Sequence, residues 1–139
     1  MERYAASFFC EDVRKEASRQ ISMIGVYNEV ILVPELPHRL NQLCVLVQIA
    51  TPVDRSFSQV QLTGQKDGKS IFEIDVPPEL LERELERAPS DFGEVGLLKL
   101  IAVVSPCKFA SEGHISISIT ADGEQIPCPG IYVKVKQKK

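Results

Sequence analysis

Apolar and polar residues alternate with a period of two along most of the chain, the mark of half-buried β-strands. "HISISIT" (114–120) is the clearest case: Ile115, Ile117 and Ile119 share one face, and Ser116, Ser118 and Thr120 the other. "YVKVK" (132–136) repeats the device with Val133 and Val135 inward and Lys134 and Lys136 outward. Phe57 with "VQL" (57–62) and "SIFEIDV" (70–76) do the same on either side of Lys66-Asp67-Gly68. Asp-Gly supplies the positive φ that a tight hairpin demands, and Asp122-Gly123 predicts a second such turn leading to Gln125-Ile126. "LCVLVQIA" (43–50) and "GLLKLIAVVS" (96–105) are apolar on both sides and predict central strands covered on both faces, or nearly so.

Near the start, "YAASFFCEDV" (4–13) and "QISMIGVYNEVIL" (20–32) predict two strand regions joined by the polar run Arg14–Arg19, with Gly25 marking a bulge or bend. The one helix expected lies in "PPELLERELERAP" (77–89). Its prolines stand where a missing N–H costs little, Leu81 and Leu85 lie one turn apart, and Glu79 precedes Arg83 by four residues. Pro34–Leu40 is expected to form a connector containing a helical turn. Seven to nine strands with regular turns and one helical crossover predict a single all-β domain over residues 1–139. Its expected architecture is an antiparallel sandwich with one short helix, an open barrel being the alternative.

The chain has 139 residues, enough to bury roughly two thirds of its unfolded surface without a disulfide or metal. Apolar residues make up 44%, charged residues 25%, and net charge is −3, so no basic face for nucleic acid is expected. Apolar runs fall short of a membrane span and the start lacks a signal-peptide pattern. A cytoplasmic location is expected, with Cys10, Cys44, Cys107 and Cys128 as reduced thiols.

The last third, "FASEGHISISITADGEQIPCPGIYVKV" (109–135), resembles the end of an immunoglobulin-like domain, with the last two main strands at 114–120 and 131–136. The opening, "FFCEDVRKEASRQISMIGVYNEVILVPELPHRLNQLCVLVQI", resembles a small family of uncharacterised bacterial or phage proteins. The resemblance implies a bacterial or phage setting and an immunoglobulin-like sandwich, and carries no activity.

Candidate chemistry is sparse. Cys10 as a nucleophile needs a base, and only His38 and His114 exist, while Glu11 and Asp12 disfavour a thiolate. A small buried side chain at a strand end is the plainer reading. Cys107, His114 and Cys128 lack compact metal-ligand spacing, and the prolines beside both cysteines suggest loop or edge positions. Glu79, Glu82, Glu84 and Glu86 describe either an acidic recognition surface or a solvated helix face, and the interrupting Arg83 and Arg87 favour the second. "KVKQKK" at the C-terminus fits an edge strand whose lysines face water. No phosphate-binding, nucleophile-elbow or zinc-protease motif occurs.

The sequence therefore points to a non-enzymatic module without cofactor or metal that binds another protein, itself included as a homodimer, and neither nucleic acid nor membrane. Leu81, Glu82 and Glu86 on the helix are the expected contacts, with loops and an exposed sheet edge beside them. The alternatives are a phage or mobile-element accessory protein inhibiting a host factor, and a cysteine- or metal-dependent enzyme.

Overall fold

The computed structural model describes residues 2–91 and 93–137. Strands dominate, as the alternation predicts. One sheet has the order β1 (Tyr4–Cys10), β6 (Leu43–Pro52), β10 (Gly93–Val104), β9 (Glu86–Ser90). The other runs β4 (Val30–Val33), β14 (Ile131–Val135), β12 (Gly113–Ala121), β7 (Val60–Lys66), β8 (Lys69–Val76), with β13 (Glu124–Ile126) also on β12. Every pair is antiparallel except β4 with β14, which is parallel and corrects the all-antiparallel expectation. Both chains of that pair run the same way because a long excursion, and no hairpin, separates them in sequence.

The registers explain the core. In the first sheet Phe9, Val45 and Ala102 stand side by side, as do Ala5, Ile49 and Leu98. These pack against Ile115, Ile119, Leu62 and Val133 of the second sheet in one buried cluster. The "HISISIT" alternation is realised with Ile115 and Ile119 fully buried and the serines outward. Both Asp-Gly turns form as expected, with positive φ at Asp67, Gly68, Asp122 and Gly123. Gly64 is demanded by packing, because a Cβ there would lie 2.2 Å from the Phe72 ring.

The opening stretch is more divided than its pattern suggested. Its first region breaks at Glu11 into β1, which joins the first sheet, and β2 (Asp12–Lys15), which pairs only with β3 (Ile21–Ile24). The chain bends at Gly25, whose φ is +67°. The β2–β3 hairpin lies against the outward side chains of β6, and the Gln42 amide donates to Asp12 and to the Cys44 sulfur. Central β6 is therefore covered on both faces: Leu46 and Ala50 point away from the core and are buried too.

Three expectations are corrected. Pro34–Leu40 holds no helical turn. Residues before proline avoid the helical region, and β5 (His38–Leu40) instead pairs with β11 (Cys107–Phe109). The helix α1 covers only Pro78–Glu84 and not 77–89. Leu85 turns extended, and Glu86–Ser90 become β9 against Gly93–Leu97, because ladder pairing outweighs the helical preference of this glutamate-rich stretch. Pro89 is accommodated because β9 is an edge strand. Finally, Cys107 lies on a strand of the two-stranded β5–β11 sheet, an edge position as expected, but its side chain is buried and it is not a loop thiol.

Candidate binding groove

Arg3 forms the most concentrated polar cluster. It lies at the end of the sandwich where β6, the 3₁₀ turn Val53–Arg55 and the β12–β13 turn meet. Its Nε donates to Thr51 Oγ1 at 2.9 Å and Nη1 to the Ala121 carbonyl at 3.3 Å. Nη2 reaches the Arg55 carbonyl at 2.9 Å and Asp122 Oδ2 at 2.8 Å. The guanidinium carbon sits 4.7 Å from the centre of the Phe57 ring, a cation–π distance. Asp122 in turn accepts the N–H groups of Ser58 and Gln59. Burial pushes the Asp122 carboxyl up, but the Arg3 hydrogen bond and those two N–H groups together hold it below the usual carboxylate range. Each guanidinium nitrogen has an acceptor, so this cluster fastens the fold and offers nothing to a ligand.

The thiols are similarly withdrawn. Cys10 and Cys44 face each other across β1 and β6, both buried. Burial pushes both thiols up, and for Cys10 the neighbouring Cys44 adds to the effect, ahead of Asp12 and Glu11. Burial raises Cys107 to about 11 and also raises Cys128. All four resist forming the thiolate that nucleophilic or metal chemistry requires. Cys107 lies in the core, whereas His114 is exposed on the outer face, its ring 4.5 Å from Tyr132, so these two do not converge. Among the described residues, no three His, Cys, Asp or Glu side chains are grouped to hold a metal ion.

A different feature stands open to solvent. A groove of ≈ 980 Å³ runs between the β2–β3 hairpin, helix α1, the end of β8 and the middle of β10. Its apolar lining includes Ile21, Leu80, Leu97 and Ile101, and its charged lining is mixed, with the carboxylates of Glu16, Asp75, Glu84 and Glu86 beside, on the rim, Lys15, Arg19 and Lys99. Among the described residues these three cations make no ion pair within 4.0 Å. A second hollow adjoins it, sharing Arg19, Ile21 and Lys99 and extending to Phe8 and Met23. Beyond it the same sheet face exposes Tyr4, at 46%, and Val103, at 57%.

The expected contact residues are spread around this groove. Glu86 lines it, from β9 and not from a helix. Glu82 is exposed on α1 outside the lining. Leu81 is 3% exposed and packs into the core beneath the helix, so its side chain has no surface to offer. The C-terminal lysines split: Lys134 is exposed on β14, Lys136 follows the strand, and Lys138 and Lys139 lie outside the described residues. Leu97, Lys99 and Ile101 were missed because their run read as a covered strand, and Ile21 because its run read as an ordinary strand region. Lys99 inside "GLLKLIAVVS" was the available signal, since lysine within an apolar strand is a mark of an edge.

No helix among the described residues is long and apolar enough to cross a membrane. The chain belongs to a family of unknown function (DUF6941), whose model matches residues 5–134. No curated protein and no solved structure matches it.

Proposed function

We propose that the chain is a non-enzymatic binding module on an immunoglobulin-like sandwich, and that its groove receives another protein. The strand orders support the immunoglobulin part. Reading β1, β6, β7, β8, β9, β10, β12 and β14 as A, B, C, C′, D, E, F and G gives sheets A–B–E–D and G–F–C–C′. The chain departs from antibody domains in lacking tryptophan and in keeping its cysteines free, so its cohesion is aliphatic. Free cysteines also favour a reducing, cytoplasmic setting.

The observation that carries the binding reading is the groove lining: Ile21, Leu80, Leu97 and Ile101 left partly exposed beside charged side chains of both signs. An apolar floor with a charged rim is the composition of a protein contact surface. Non-enzymatic character is supported by thiols held protonated and by histidines placed on separate elements.

Affinity capture from a lysate of the source cells tests this with three baits: the natural chain, Ile101→Glu, and Ser118→Glu on the exposed face of the other sheet. A partner held by the natural chain and by Ser118→Glu but lost from Ile101→Glu supports the reading. Partners unaffected by Ile101→Glu overturn it. Light scattering on the same samples identifies a second copy as the occupant if the natural chain doubles in mass and Ile101→Glu does not.

A further inference from the structure

Two sheet edges, and not a sheet face, border the groove. Leu97, Leu98, Lys99, Leu100 and Ile101 line it consecutively. Successive strand side chains point to opposite faces, so only the backbone edge of β10 can present both sets to one hollow. Ile74, Asp75 and Val76 of β8 line the opposite wall in the same way. The groove thus opens between the two sheets of the sandwich.

The edge of β10 is unpaired along this wall. Antiparallel β9 covers it from Gly93 to Leu97 and stops where Glu86 meets Leu97. The chain then turns back through Leu85 into α1. Among the described residues no strand pairs that edge from Leu98 to Val104, and no turn or loop hydrogen bond reaches it. At about 3.3 Å per residue this leaves roughly 20 Å of open strand edge, with Leu98–Ile101 facing the groove and the alternate backbone groups not used by β6 without a strand partner. The opposite edge of the same residues is fully paired with β6, so the strand is held rigid for a partner.

We infer that the occupant of the groove is an extended segment of the partner protein, added to β10 as a further antiparallel strand beyond β9. This rests on the groove being the binding site and names how it binds. Main-chain hydrogen bonds to Leu98–Val104 supply affinity that does not depend on the partner's sequence, and alternate side chains supply selectivity. Side chains pointing inward meet Leu98, Leu100, Ile74 and Val76, so every second residue of the segment is apolar. Those pointing outward meet charged side chains of both signs, Lys99, Arg19 and Lys15 beside Glu16 and Glu86, so the intervening residues are polar. The lysine at 99 also explains why the edge does not pair with itself: a charge on an open edge discourages unspecific sheet association.

A displayed library of random nonapeptides, selected on the natural chain and counter-selected on Ile101→Glu, reads out the segment directly. The expected winners carry apolar residues at every second position with polar residues between them. On adding such a peptide, exchange of those amides within Leu98–Val104 that point away from β6 slows at least tenfold while exchange in β12 is unchanged. Winners with apolar residues at three- and four-residue spacing, or binding without slowing of the β10 amides, overturn strand addition while leaving the groove as the site. Failure to recover any groove-dependent peptide overturns strand addition as well. Loss of the groove reading itself shows separately, as lysate partners indifferent to Ile101→Glu.

Discussion

Two regions of this sandwich treat their charges in opposite ways. At the end sealed by Arg3, a cation 7% exposed has an acceptor for each nitrogen, an aromatic ring beneath it and a carboxylate partner. Along the groove, Lys15, Arg19 and Lys99 stand around apolar side chains with no ion pair within 4.0 Å among the described residues, although Glu16 and Glu86 line the same groove. Burying a charge is tolerable only when every hydrogen bond is made, so the first arrangement exists for stability. The second leaves both apolar area and charge unspent, which stability alone does not favour. The contrast separates a fastening from a surface kept for something else, and it can be broken by experiment.

The largest effect is expected at the fastening. Arg3→Ala leaves Asp122 beside buried groups without its cation and removes the donors to Thr51, Ala121 and Arg55. A cost of about 4 kcal/mol follows, chiefly from leaving the buried Thr51 hydroxyl and Ala121 carbonyl without their donor, seen as a lower urea midpoint. A loss under ~1 kcal/mol would place Arg3 with the groove cations and dissolve the contrast.

Leu81 and Glu82 are neighbours that divide along the same line. Leu81→Ala opens a cavity in the core and is expected to cost about 3 kcal/mol. Glu82→Ala removes an exposed side chain and is expected to change stability by less than ~0.5 kcal/mol. Equal effects would mean that α1 is not packed as described.

Acid should undo the fastening more gently. Asp122 is held low by Arg3 and two N–H groups against the effect of burial, and Asp67 by the Lys66 ammonium and then the Ser111 hydroxyl. Their folded pKa values lie below the ordinary value near ~3.9. Their stabilisation is therefore present in full above that value and lost as pH falls through the folded values. Urea midpoints from pH 7 to pH 2 should decline most steeply below about pH 4, and Asp122→Asn should flatten part of that decline. An undiminished slope would remove Asp122 from the account.

The legibility of these features follows from their range. "HISISIT" and both Asp-Gly turns were readable because alternation and φ requirements are local. The helix boundary was not, because Glu86–Ser90 are strand only by virtue of pairing with Gly93–Leu97. The parallel partnership of β4 with β14 joins residues a hundred positions apart, and nothing near Val30 encodes it. Arg3 gave no signal at all, since its acceptors come from Thr51, Arg55, Ala121 and Asp122. The groove was half legible. An apolar run with a lysine in it betrays an edge, but where β9 stops along β10 is a property of the assembled sheet.

The smallest effect is the sharpest test of the open side. Ile101 points away from the core, as Leu46 and Phe8 do in the same cross-strand row, and is only partly covered. Ile101→Glu gives up part of its apolar burial, about 1 kcal/mol for the covered fraction. The new carboxylate regains some of that beside Lys99, Arg19 and Lys15, and salt screens the gain. The net change expected is within ~0.5 kcal/mol in low salt, with a slightly lower urea midpoint in high salt. A cost above ~2 kcal/mol would mean that Ile101 is packed as core and that this side of the sandwich is closed. A near-neutral result, combined with loss of a captured partner, would assign Ile101 to recognition, because a residue that folding scarcely notices would then be one that binding requires.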